Sequence, residues 1–239
     1  MVNPDKYLKD YLWKLIKRYG NINLYKKQLD ILSEWEGPYR IDTLNKGATF
    51  FKLVTASFTR TMLVELCLFV SEKEQFNIDK WLEKVKIHSK SLKPTRASRG
   101  NHLKDTRIII KNNEYLKIID EHISKLSNHN KTIKKLIALR EKIFTHYDSS
   151  YFNNPEAIYK KYSLNISELN DLRKTIEDIL MEQHSYLFAS SIFLDVSSYS
   201  NVNVILEHTR AFMRIRKDKS LIINKGFRPA DYLGEVYKE

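Results

Sequence analysis

From residue 43 to residue 70 the chain reads TLNKGATFFKLVTASFTRTMLVELCLFV. Placed on a helical wheel, Phe50, Phe51, Leu53, Val54, Phe58, Met62, Leu66 and Phe69 spread apolar surface almost all the way round. This pattern predicts one long helix, capped by Thr43, ending near Val70 and central to the fold. Neither glycine nor proline interrupts residues 48–93, 101–154 or 156–225. Runs that long suit helices and helical hairpins, because a sheet needs frequent turns. The fold class expected is all-α.

Outward from that segment the same period recurs. Leu8, Leu12, Leu15 and Ile16 mark a first helix ending near Gly20, and residues 24–35 a second, closed by Gly37-Pro38. Asn77 or Asp79 starts a shorter helix with Trp81, Leu82, Val85 and Ile87 on its apolar side. Residues 89–105 read as a loop. Leu116, Ile119, Ile123 and Leu126 define another helix, and residues 133–147 one more after the polar Asn128-His129-Asn130 break. Asn154-Pro155 begins a short helix, Ser167 caps a long one through Leu187, and a last helix covers about 202–215. Ile108-Ile109-Ile110 and Leu221-Ile222-Ile223 have strand character, but two isolated runs make no sheet. The three tryptophans, Trp13, Trp35 and Trp81, fall in phase with apolar neighbours and are expected in the core.

The chain has 239 residues, of which 42% are hydrophobic and 29% charged, a globular composition. Lys plus Arg number 41 against 29 Asp plus Glu, a formal charge of +12, which favours a polyanionic partner. The lone Cys67 excludes an internal disulfide framework and a cysteine zinc cage, and suits a reducing cytoplasm. Lys46, Lys52, Arg60 and Glu65 interrupt the most apolar region, so no membrane-crossing span is expected. The charges Asp5, Lys6, Lys9 and Asp10 do not read as a signal peptide. No glycine-rich phosphate loop and no His-Glu-x-x-His string occurs, which leaves nucleotide hydrolysis and zinc proteolysis without support.

One helix carries a charge where its pattern calls for leucine. Ile133, Leu136, Ile137, Phe144 and Tyr147 share a stripe, and Arg140 lies at its centre. A guanidinium there must be paired or face a polar cavity. A structural arginine bonded to a neighbouring carboxylate such as Glu65 satisfies that demand. His146 follows six residues on, about 120° further round an ideal α-helix, so the two side chains do not converge within one copy. An isologous dimer would bring each opposite its mate. The remaining histidines, His88, His102, His122, His129, His184 and His208, have no ligand-like pairing and read as surface or satisfied residues.

The string from Leu139 to Asp148, LREKIFTHYD, resembles the Arg-x(4–6)-His motif of HEPN domains, and most nearly the AbiU-type abortive-infection family. The segments Gly47–Phe51 and Met62–Leu66 carry the rest of the likeness, which covers roughly residues 44–190. The resemblance implies a HEPN-like up-and-down helical bundle over 42–196, with an N-terminal helical extension at 1–41 and a C-terminal helix and tail at 197–239. It implies a metal-independent endoribonuclease of phage defence, or a toxin, working as a cytoplasmic homodimer without cofactor or membrane. A cognate antitoxin or defence partner would accompany it. His146 would then move protons and Arg140 hold the phosphate, roles suited to an imidazole titrating near neutrality and a planar, permanently charged fork. Glu141 and Tyr147 would support them. Glu141 stands where HEPN ribonucleases often have Asn, Asp or His, and Tyr147-Asp148 departs from the His-x-Tyr form of toxins silenced on that tyrosine.

Basic residues crowd 84–111, where Lys84, Lys86, Lys90, Lys93, Arg96, Arg99, Lys104, Arg107 and Lys111 face Asp105 alone. Of these, Lys93, Arg96, Arg99 and Lys104 are the candidate nucleic-acid contacts. Arg210, Arg214, Arg216, Lys217 and Lys219 form a second cluster. A solvated basic face explains either cluster equally well. The rival to the nuclease is a HEPN-like module whose Arg/His pair is idle and which binds RNA or a protein. A third reading is a purely structural helical adaptor.

Overall fold

A computed structural model of the protein describes residues 3–38, 40–97, 107–145, 160–192, 194 and 201–217. The fold is all-α. Helices α1 (Pro4–Glu34), α2 (Ile41–Lys46), α3 (Ala48–Val70) and α4 (Ile78–His88) lead to a 3-10 turn at Ser89–Ser91. A short hairpin follows, β1 (Thr95–Ala97) with β2 (Arg107–Ile109), and then α5 (Asn112–Ser127) and α6 (Asn130–Leu139). Next come a π-helical turn at Arg140–Thr145, α7 (Ile166–Phe188) and α8 (Asn201–Lys217). The chain forms two compact units, residues 1–23 with 62–195, and residues 24–61 with 196–239. The boundaries of this division fall within α1, within α3 and at residue 196.

The first unit is built on amphipathic helices. Leu8, Tyr11, Leu12, Leu15, Ile16, Tyr19 and Ile22 of α1 are buried with Met62, Leu66, Cys67, Phe69 and Val70 of α3. Trp81 and Val85 of α4, Ile119 of α5, Leu136 of α6 and Leu172, Ile176 and Leu180 of α7 complete this core. Polar ties fix the helices where burial alone would let them slide. The Trp81 indole donates to the Leu8 carbonyl at 3.0 Å, and the Tyr19 hydroxyl to the Arg173 carbonyl at 2.7 Å. In the second unit Ile31, Leu32, Trp35, Leu44 and Leu206 are buried, with Ile41, Phe51, Val54, Phe58 and Val202 packed against them.

Several expectations are corrected. Gly20 does not end a helix: α1 runs on to Glu34. A mid-helix glycine costs only about 1 kcal/mol, less than the burial of Tyr19 and Ile22 on either side returns. Thr43 does not cap α3 but lies buried within α2, and Gly47 separates the two helices. Nor is α3 buried throughout. Its last third is, while Phe50 and Leu53 are 60% and 64% exposed. Ile87 and Trp13 are exposed too, at 74% and 41%, so of the three tryptophans only Trp35 and Trp81 are core. Residues 95–97 leave the expected loop to pair antiparallel with β2, Arg96 opposite Ile108. Asn165, two residues before Ser167, caps α7 by accepting from the Ser167 amide. Asn77 does cap α4, accepting from the Lys80 amide at 2.7 Å. The helix expected at Asn154-Pro155 and the strand-like Leu221-Ile222-Ile223 lie outside the described residues.

Candidate functional site

The motif arginine sits where α6 ends. From Arg140 the backbone widens into a π-helical turn through Thr145, and i→i+5 bonding abolishes the 100° step of an α-helix there. The expected angle between Arg140 and His146 therefore does not carry over. His146 and Tyr147 lie outside the described residues, as do Arg99 and Lys104.

Opposite the turn lies the connection from α3 to α4, and the two carry complementary charges in adjacent pairs. Arg140 Nη1 is 3.1 Å from Glu74 Oε1, with side chains 21% and 30% exposed. Next to it Lys73 Nζ meets Glu141 Oε1 at 2.5 Å, nearer the solvent. The expected partner Glu65 is engaged elsewhere, accepting from Arg18 Nε at 2.7 Å. The arginine is thus paired, but with a carboxylate that no helical period singles out. Glu74 is held in turn by its own backbone, since its carbonyl accepts from Lys80 Nζ at 2.7 Å and from Asn77 Nδ2 at 3.2 Å. Asn77 is fully buried and ties the connection down through a second carbonyl, that of Ser71, at 2.7 Å.

Behind Arg140 lies Cys67. Burial pushes its thiol above the ordinary value, more than the charge and hydrogen bond of the Arg140 guanidinium pull it down. A neutral, sealed thiol has no nucleophilic role. Among the described residues no group of three His, Cys, Asp or Glu is arranged to hold a metal.

The other described histidines are exposed or satisfied. His122 is buried in a closed network with a defined direction. The Tyr115 hydroxyl donates to Gln183 Oε1 at 2.7 Å, Gln183 Nε2 donates to His122 Nδ1 at 3.1 Å, and His122 Nε2 faces Glu182 Oε2 at 2.8 Å. His129 bonds the Thr175 hydroxyl at 2.9 Å and His184 the Ser190 carbonyl at 3.0 Å. His88 and His208 are exposed.

The basic stretch is partly neutralised. Lys86 pairs with Asp120 at 2.6 Å and Arg96 with Glu114 at 2.5 Å, while Lys84 lies over the Tyr7 ring. Lys93 is exposed just before β1, and Arg107 and Lys111 are exposed at and beyond β2. An acidic concavity of about 400 Å³ contrasts with this, lined by Glu72, Asp79 and Glu83 among others. Burial, reinforced by Glu83 and Glu72, raises the Asp79 carboxyl to about 6.

Sequence reasoning missed Lys73 and Glu74. The one trace of them is the order of charges, Lys-Glu against Arg-Glu, and that reads as noise until the fold opposes two segments 68 residues apart. Comparison with family models, curated proteins and solved structures finds no match for this chain.

Proposed function

We propose that the protein is a metal-independent endoribonuclease of HEPN type, acting in phage defence or as a toxin, with Arg140 and His146 of two copies forming one site. The observation that carries this reading is the π-turn itself. It starts at the motif arginine, ends one residue before the motif histidine, and leaves the Arg140 side chain 21% exposed. Such turns recur at functional sites because they re-aim side chains at a cost in helix regularity. In this mechanism the neighbouring 2′-hydroxyl attacks the scissile phosphorus, His146 transfers protons, and the guanidinium stabilises the charge gathering on the phosphate oxygens. The products carry 2′,3′-cyclic phosphate and 5′-hydroxyl ends.

A second reading has an observation of its own. The Arg140–Glu74 ion pair occupies the guanidinium in the resting chain, which favours a HEPN-like module whose arginine is a strut and whose partner is RNA or a protein. One experiment separates the two. Purified protein is incubated with total RNA in a chelator, and the fragment ends are analysed. The nuclease cleaves, and His146→Ala abolishes cleavage without changing the circular dichroism. The idle module leaves RNA intact, and His146→Ala changes nothing.

A further inference from the structure

The core of the second unit uses one face of α3 and one face of α8. Phe51, Val54 and Phe58 point inward on α3, as do Leu206 and Val202 on α8. At 100° per residue Leu53 falls on the opposite side of α3, with Phe50 at that side's edge. Ile205 and Phe212 stand one above the other on a flank of α8, about 60–120° round from Val202 and Leu206. All four are more than half exposed, and Val204 is 42% exposed beside them. Helices that are apolar on both sides require cover on both, and large apolar surface left open marks an interaction site.

The charged residues on these two helices are mainly basic. From Thr43 to Val64 there is no acidic residue, and Lys46, Lys52 and Arg60 are exposed along it. On α8 Arg210 and Arg214 stand with Glu207. A cavity of about 510 Å³ opens in the same unit, lined by Leu32, Ile41, Leu44 and Phe51 with one cation, Lys52, and one carboxylate, Glu36.

We propose that this face of α3 and α8 docks onto an anionic lipid surface. Phe50, Leu53, Ile205 and Phe212 enter the boundary between headgroups and acyl chains, while the lysines and arginines meet the lipid phosphates. The charges that interrupt α3 argue against a crossing segment and suit a surface contact, although α3 is the one helix among the described residues long and apolar enough to cross a membrane. A second copy is a poor cover for this face, since an isologous contact here would set the exposed Lys52 and Arg60 of one copy against basic residues of the other. Nucleic acid is a poorer cover, because Leu53, Val204 and Ile205 are aliphatic and only Phe50 and Phe212 offer bases an aromatic plane.

The test is flotation of the full-length protein with vesicles of phosphatidylglycerol and phosphatidylcholine, set against vesicles of phosphatidylcholine alone. Leu53→Asn and Ile205→Asn keep the charge and alter exposed positions, and circular dichroism checks their fold. Binding to the anionic vesicles only, weakened by salt and reduced at least about tenfold in affinity by the double variant, supports the proposal. Absence of binding to either vesicle overturns it. So does loss of single-stranded RNA binding in the double variant with vesicle binding retained. Conversion of a wild-type dimer to monomers by the double variant also overturns it.

Discussion

Arg140 and Glu74 form an ion pair, Nη1 to Oε1 at 3.1 Å, that joins the π-turn after α6 to the connection between α3 and α4. Its neighbour, Lys73 with Glu141, has the same charges in a different environment, with the lysine 75% exposed. Water screens an exposed pair almost completely, whereas a half-buried one leaves a desolvated charge behind when broken. Glu74→Gln is therefore expected to cost about 1–2 kcal/mol and Lys73→Ala no more than about 0.5 kcal/mol, read from urea denaturation. Equal losses would show that the two pairs share one environment.

The connection carrying Glu74 depends on Asn77. Its side chain accepts from the Lys80 amide and donates to the Ser71 and Glu74 carbonyls, while its own amide donates to the Tyr11 hydroxyl. Asn77→Ala removes a helix cap and orphans buried carbonyls, at an expected cost of about 2–3 kcal/mol. Asn77→Asp keeps the cap and loses only the donations, so it falls between the variant and the parent in the same denaturation series.

Asp79 predicts a pH dependence of definite sign. Its carboxyl is raised to about 6 by burial and by Glu83 and Glu72, above the ordinary value of about 3.9 in an unfolded chain. The ionised form is thus penalised in the fold. The penalty is absent below about pH 4 and complete above about pH 6. Asp79→Asn should stabilise the protein at pH 7 by about 1 kcal/mol and make no difference at pH 4. A stabilisation that persists at pH 4 would assign the effect to something other than ionisation.

Glu182 has the opposite sign. The hydrogen bond from His122 holds its carboxyl below the ordinary value, against the effect of burial. Its contribution is present above the unfolded value of about 4.3 and is lost as pH falls through the lower folded value. Glu182→Gln should therefore narrow the acid-induced loss of stability, measured as the change in Tm from pH 6 to pH 3. His122→Ala, which leaves Gln183 Nε2 without its acceptor in a buried site, is expected to cost about 2–4 kcal/mol at neutral pH.

Local chemistry made much of this protein legible. Asn77 was readable as a cap because an amide side chain before an apolar-periodic run satisfies a free helix amide. The faces of α5 and α7, and that of α4 apart from Ile87, followed from 3.6-residue spacing. Gly20 misled because a glycine's cost is local and small while the burial around it is tertiary. The hairpin stayed hidden because Thr95–Ala97 has no alternation of its own and becomes a strand only through β2. At the candidate site, the anomaly of Arg140 was visible, and its partner was not.

By itself, the sequence determined that the chain is helical and basic, and that Arg140 stands on an apolar stripe. These follow from the spacing of breakers, the period of apolar residues and a count of charges, all properties of neighbours along the chain. Only the tertiary structure decided that Glu74 and not Glu65 answers Arg140, that the helix after Leu139 widens into a π-turn, and that α3 leaves Phe50 and Leu53 open while Phe51, Val54 and Phe58 pack inward. Those outcomes depend on which segments far apart in the chain meet. That choice is made by close packing of whole faces, which no local pattern encodes.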